Sequence, residues 1–157
     1  MNLRRFASVA LATTVVLGAA TGCSLIAPQA TTIPYSAAEG VNVPDSAGPV
    51  LIRNAMLVAD DEGDRANFLA AFINDTSEVQ NLTIEIDGQR ASAAMPPRTS
   101  ISLGFDGISP LLIEGLGAKP GSTVDVIFQS GSAEPVVQAV PVLDGQLPYL
   151  SDFVPAG

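Results

Sequence analysis

One thiol and no imidazole set the chemical limits of this chain of 157 residues. Cys23 is the only cysteine, so no disulfide forms within one chain. The absence of histidine excludes a Ser-His-Asp or Cys-His catalytic set. It also excludes zinc sites built from clustered Cys and His. Lys119 is the one lysine, and it stands beside Pro120 in a predicted turn. A Ser-Lys catalytic pair needs a buried amine of lowered pKa, which a turn does not supply. Carboxylate pairs of the glycosidase kind are open by count alone. Yet the chain has no tryptophan and no long loops to build a sugar cleft. The chain therefore reads as a non-enzyme with no cofactor. Two other clusters offer ligand atoms. Asp60, Glu62 and Asp64 alternate in an acidic run and present oxygens to calcium. Arg65 stands where the EF-hand loop requires glycine, so the simpler reading is a solvated loop between strands. Met56 and Met95 are the only methionines after Met1.

Cys23 has the most specific surroundings. It closes the stretch Leu17-Gly18-Ala19-Ala20-Thr21-Gly22-Cys23, small residues at the end of a compact apolar run. Arg4 and Arg5 precede that run, which extends from Phe6 to Ala20. A run of roughly 15 residues is too short for a relaxed membrane span and fits a secretory leader. The arrangement resembles a bacterial lipobox, in which the thiol receives a diacylglyceryl group and the peptide is cut before it. Ala20 replaces the leucine most common three residues before the cysteine. The competing reading is an ordinary leader followed by a free thiol. The flanks of Arg4-Arg5 match the twin-arginine signal poorly, which favours the general secretory route. One acyl chain binds a membrane marginally, whereas two hold firmly. Acylated Cys23 thus predicts a protein anchored in the lipid bilayer, on the outer face of the cytoplasmic membrane.

Charge narrows the partners. The chain has 7 basic and 16 acidic residues, a net charge of −9. Loss of Arg4 and Arg5 leaves 5 basic residues and a side-chain charge of −11. That sign disfavours nucleic acid and anionic headgroups, so the acyl group must supply the membrane affinity.

The elements that position these groups follow in chain order. Residues 1–22 form the leader. Residues 23–48 read as acylated cysteine and tether, with Pro28, Pro34 and Pro44 and few bulky apolar groups. A flexible coil of about 25 residues reaches roughly 25–30 Å. Ile33 and Tyr35 are its large groups, available to dock on the domain. Residues 49–146 then divide into short apolar runs. The run 50–59 places Val50, Ile52, Met56 and Val58 on one face, with Asn54 as the exception. The run 66–74 is apolar on both faces, as in a covered strand. Leu82, Ile84 and Ile86 alternate with polar residues before Asp87-Gly88, a two-residue turn signal. Further strands are predicted over 89–95, 99–105, 111–114, 123–129 and 136–143, with Pro120-Gly121 as a type II turn. Ile101, Leu103 and Phe105 share one predicted face, and Pro141 marks an edge or a bulge. No segment has sustained helical periodicity. The expected fold is all-β, an antiparallel immunoglobulin-like β-sandwich of about seven strands without the disulfide or tryptophan of antibody domains.

Two resemblances rest on these features. The lipobox, the 50–59 strand, the 68–74 strand ending in Asn74-Asp75 and the tail bearing Tyr149 together resemble an actinobacterial LpqE-type lipoprotein. The first half of the domain is also similar to periplasmic copper chaperones of the PCu(A)C type, where a strand and an F-x-N segment precede the metal-binding half. Phe72-Ile73-Asn74 matches that segment. The resemblance implies the sandwich. The copper family binds through methionines and histidines, and only Met56 and Met95 stand in the mature chain.

The tail, residues 147–157, carries Leu147, Tyr149, Leu150, Phe153 and Val154. Exposed, these would form an apolar patch of the kind that marks an interaction site. The tail must cover its own sandwich or dock on a partner, with Tyr149 and Phe153 as anchors. The sequence thus predicts a non-catalytic, membrane-anchored envelope lipoprotein that binds or supports another envelope protein. An integral membrane complex is the expected partner, and the LpqE resemblance suggests a respiratory assembly. The alternative is a degenerate copper carrier using Met56, Met95 and carboxylates.

Overall fold

The computed structural model describes residues 38–156. Cys23, the leader, Ile33 and Tyr35 lie outside the described residues. Eight strands follow in order: β1 Val50–Ala59, β2 Arg65–Asn74, β3 Gln80–Ile86, β4 Gln89–Met95, β5 Thr99–Ser102, β6 Leu111–Glu114, β7 Thr123–Ser130 and β8 Val136–Leu143. Hydrogen bonding runs continuously through the order β4-β3-β7-β8-β1-β2-β5, with β6 also on β2. The sheet folds over on itself, so that β4-β3-β7-β8 form one layer and β1-β2 with β5 and β6 form the other. The fold is all-β and sandwich-like, as the alternation predicts. The expected all-antiparallel pairing is broken at one seam. There β1 and β8 run parallel, joined only at Leu57–Val142 and Val58–Leu143.

Pro141 follows from this seam. Val142 N–H donates to the Ser122 carbonyl on the β7 side. Alternation then turns the nitrogen of Pro141 away from β7, where β1 has not yet joined. A missing donor costs nothing there.

The inner face of both layers packs one large cluster, including Ile52, Leu57, Phe68, Ile86, Val126 and Phe128. Leu82, Ile84 and Ile86 all point inward, as their spacing requires. Asp87 (φ 46°) and Gly88 (φ 74°) both take positive φ between β3 and β4, which is the type I′ hairpin that matches strand twist.

The face assignment of β1 needs correction. Its register slips between Arg53 and Met56, where two residues oppose one on β2. Asn54 sits at this bulge with φ 51°, a conformation that asparagine tolerates better than most residues. One extra residue reverses every later side chain. Val50 and Ile52 therefore face the main core together with Ala55, Leu57 and Ala59. Met56 and Val58 face the opposite side, in a second cluster with Leu69 and Leu150.

The domain also begins earlier than Pro49. Val41 and Ala55 exchange backbone hydrogen bonds of 2.9 and 2.8 Å, and Val43 N–H donates to Ile52 at 3.1 Å. Val43 and Ala47 are buried in the main core. The last residues of the segment read as tether, 41–48, thus belong to the folded domain and lie along bulged β1. β5 ends at Ser102 rather than at residue 105. Beyond it Gly104 (φ 89°) and Asp106 (φ 54°) turn the chain, and Phe105 is exposed.

Candidate functional site

The acidic run forms the turn between β1 and β2. One oxygen of Asp60 accepts from the N–H of Gly63 at 2.7 Å and of Asp64 at 2.9 Å. Its carboxylate is committed to capping the turn. Asp60, Glu62 and Asp64 do not converge: among the described residues, no three Asp, Glu, Cys or His side chains are grouped to hold a metal ion.

The methionines are separated as well. Met56 is 3% exposed and lies under the C-terminal tail, whereas Met95 is 1% exposed in the main core. The β1–β2 layer stands between the two clusters. Copper(I) selects soft thioether, thiolate or imidazole donors. Two buried methionines in different clusters, in a chain without histidine, do not fit such a site.

The tail covers the outer face of β1 and β2. Leu150 is 2% exposed against Met56, Val58 and Leu69, with Phe153 and Val154 packed beside it. A short 3-10 turn, Ser151–Phe153, shapes this segment. The ring of Phe153 lies 5.2 Å from that of Phe105, tilted by 59°. Asn67 Nδ2 donates to the Phe153 carbonyl at 2.9 Å, and Arg65 donates to the Ala156 carbonyl. The two aromatic groups read as anchors therefore differ: Phe153 is half-buried, while Tyr149 is 55% exposed.

The Tyr149 hydroxyl donates to the Glu39 carboxylate. That bond, with a backbone hydrogen bond of Glu39, holds the Glu39 carboxyl below its ordinary range. It also raises the Tyr149 hydroxyl above its own. A lowered carboxyl stabilises above its unfolded pKa and loses that contribution as pH falls through the folded value. A raised phenol stabilises below its unfolded pKa and loses that contribution as pH rises through the folded value. Both groups are solvent-exposed, so the effect is small. Tyr149→Phe is expected to leave the melting temperature at neutral pH nearly unchanged. It should remove this pair's weakening at the acid and alkaline ends, read from melting temperature against pH.

Asn74, which motif reading picked out without a role, is a structural node. It is buried, and its Nδ2 lies 2.9 Å from each of the carbonyls of Glu78, Met95 and Pro96. Its Oδ1 accepts from Thr76 N–H and from the Thr76 hydroxyl. Asn74-Asp75-Thr76 also matches the Asn-x-Thr glycosylation sequon, but it is a folded turn with its amide inside the protein and unavailable for glycosylation. The asparagine of Phe72-Ile73-Asn74 ties the end of β2 to the end of β4.

Beside this node lies a concave feature lined mainly by apolar side chains. It is an apolar slot of about 340 Å³ where the inner faces of β3 and β4 meet β5, β6 and the loop joining them. Phe72, Leu82, Ile84, Met95, Leu103 and Leu111 are among the residues that line it. No charged side chain lines it. Sequence reading missed it because it arises from which strands become edges.

No family model matches the chain, and no curated protein matches it. Solved structures do. The fold is similar to the copper-bound PCuAC domain from PmoF2, with a TM-score of 0.50 at 15% identity, over 66% of this chain and 97% of that one. It is also similar to the apo PCuAC domain from PmoF1, with a TM-score of 0.51 at 16% identity, over 64% of this chain and 97% of that one. At such identity the likeness is one of fold. It bears out the similarity to PCu(A)C domains read from Phe72-Ile73-Asn74, and gives no support to the LpqE-type resemblance. No helix among the described residues is long and apolar enough to cross a membrane.

Proposed function

We propose that the protein is a non-catalytic, lipid-anchored envelope domain that docks on another envelope protein and uses a copper-carrier type of fold without copper chemistry. One observation carries this reading. The donors that such a metal needs are absent or separated, with no histidine in the chain and Met56 and Met95 buried in different clusters. The anchor is acylated Cys23, and the partner class is an integral membrane protein complex. Purification of the acylated protein from gently solubilised membranes tests this. A membrane protein recovered in fixed proportion supports docking; recovery of the lipoprotein alone, under conditions that keep known complexes intact, contradicts it.

The second reading is a metal carrier. The likeness to PCuAC domains speaks for it more than for docking, and the donor set speaks against it. Copper(I) titration separates the two.

The anchor has its own test. Cys23→Ala is expected to abolish acylation, releasing the protein from the membrane or leaving an unprocessed precursor. A mature, processed variant that still partitions into detergent would contradict lipidation at Cys23.

A further inference from the structure

We infer that the slot between β4 and the β5–β6 side binds the hydrocarbon tail of an uncharged single-chain amphiphile. Its volume of about 340 Å³ falls in the range of pockets that hold small ligands, roughly 300–1,000 Å³. The slot exists because β4 places small residues on its inner face. Ala93 pairs with Leu82, and Ala91 pairs with Ile84. Leu82 is 3% exposed, yet Ala93, on the same face, is open to solvent. A larger residue at 93 would fill the space.

Two hydrogen bonds tie the ends of β4 to the opposite layer, one on either side of the slot. At one end Gln89 Nε2 donates to the Glu114 carbonyl at 2.8 Å. At the other, Asn74 Nδ2 donates to the Met95 carbonyl at 2.9 Å. The backbone of β4 is free along its outer edge at Arg90, Ser92 and Ala94, since the two-residue turn places the bonded pairs at 89, 91, 93 and 95. That edge invites an added strand. The slot beneath it is apolar, and a hydrocarbon chain that enters broadside between the two ties breaks neither.

The chemistry of the ligand follows from the lining. Apolar walls without a charged group give a headgroup charge no partner. The side-chain charge of −11 left without Arg4 and Arg5 repels an anionic head. Exposed Ser109 at the mouth offers a hydroxyl to a neutral ester or alcohol. These features select a monoacylglycerol-like molecule, with its chain inside and its head in water.

The unit Ser36–Gly157 is compact and contains the whole described core, so it serves as the test protein. Calorimetric titration uses hexanoyl, octanoyl, decanoyl and dodecanoyl monoglycerides below their micelle concentrations. Affinity should rise about fourfold per added methylene, then stop rising once the slot is full. Laurate should bind more weakly than the dodecanoyl ester. Ala93→Phe should lower affinity more than tenfold. In the unmodified protein, methyl resonances of Ile101, Leu103 and Leu111 should shift on titration. Those shifts and the chain-length ceiling decide the matter even if Ala93→Phe does not fold. Absence of binding, affinity that climbs without a ceiling, an Ala93→Phe variant that binds normally, or shifts confined to the Met56–Val58 cluster would each overturn the assignment.

Discussion

Phe68→Ala is expected to lower the unfolding free energy by about 3–5 kcal/mol. Phe68 is fully buried at the middle of β2, between β1 on one side and β6 on the other. Its ring lies 6.1 Å from that of Phe128, tilted by 40°. The contact crosses the two layers, because Phe128 belongs to β7. Removing the ring leaves a cavity that neither layer can close without shifting its strands. Small domains have total stabilities of roughly 5–15 kcal/mol, so this single change consumes a large fraction. Urea unfolding at neutral pH measures it. A midpoint close to that of the unmodified protein would mean that the layers do not pack through this contact.

The second large effect is expected at the tail. Leu150→Ala should cost about 2–4 kcal/mol, within the range for buried leucines. Leu150 is the buried centre of the cap over Met56, Val58 and Leu69. Its loss exposes the outer face of β1 and β2, which the bulge at Asn54 has made apolar. Truncation after Gln146 should act in the same direction and more strongly, since Phe153 and Val154 leave as well. Thermal melting of the isolated domain reads both changes. If truncation leaves the melting temperature unchanged, the tail does not pack on its own domain and is free to dock on a partner. With the tail held down, Tyr149 is the aromatic of the tail that stays exposed.

The strands were legible in the sequence because period-2 alternation is a local property. Leu82, Ile84 and Ile86 could face only one way, and Asp87-Gly88 had to turn. β1 defeated that reading at one residue. A bulge moves the alternation by one position, and the sequence Arg53-Asn54-Ala55-Met56 allows either frame. Asn54 broke the pattern because the backbone turns there. The tail was legible as a segment that needed cover, though not as the cover for a second cluster. The boundary at Pro49 failed for a related reason. Val41 and Val43 are isolated apolar residues among small ones, and only pairing with bulged β1 gives them a place. The slot lined by Phe72 and Leu103 was out of reach, since it depends on β4 and β5 ending at opposite edges of one folded sheet.

Copper(I) titration of the unit Ser36–Gly157 in the presence of a competing chelator tests the central claim most directly. A protein without clustered soft donors should take up no copper(I) with sub-micromolar affinity, and replacing Met56 and Met95 by leucine should change nothing. Sub-micromolar binding of one ion, lost in the double variant, would contradict the account and make the domain a copper carrier.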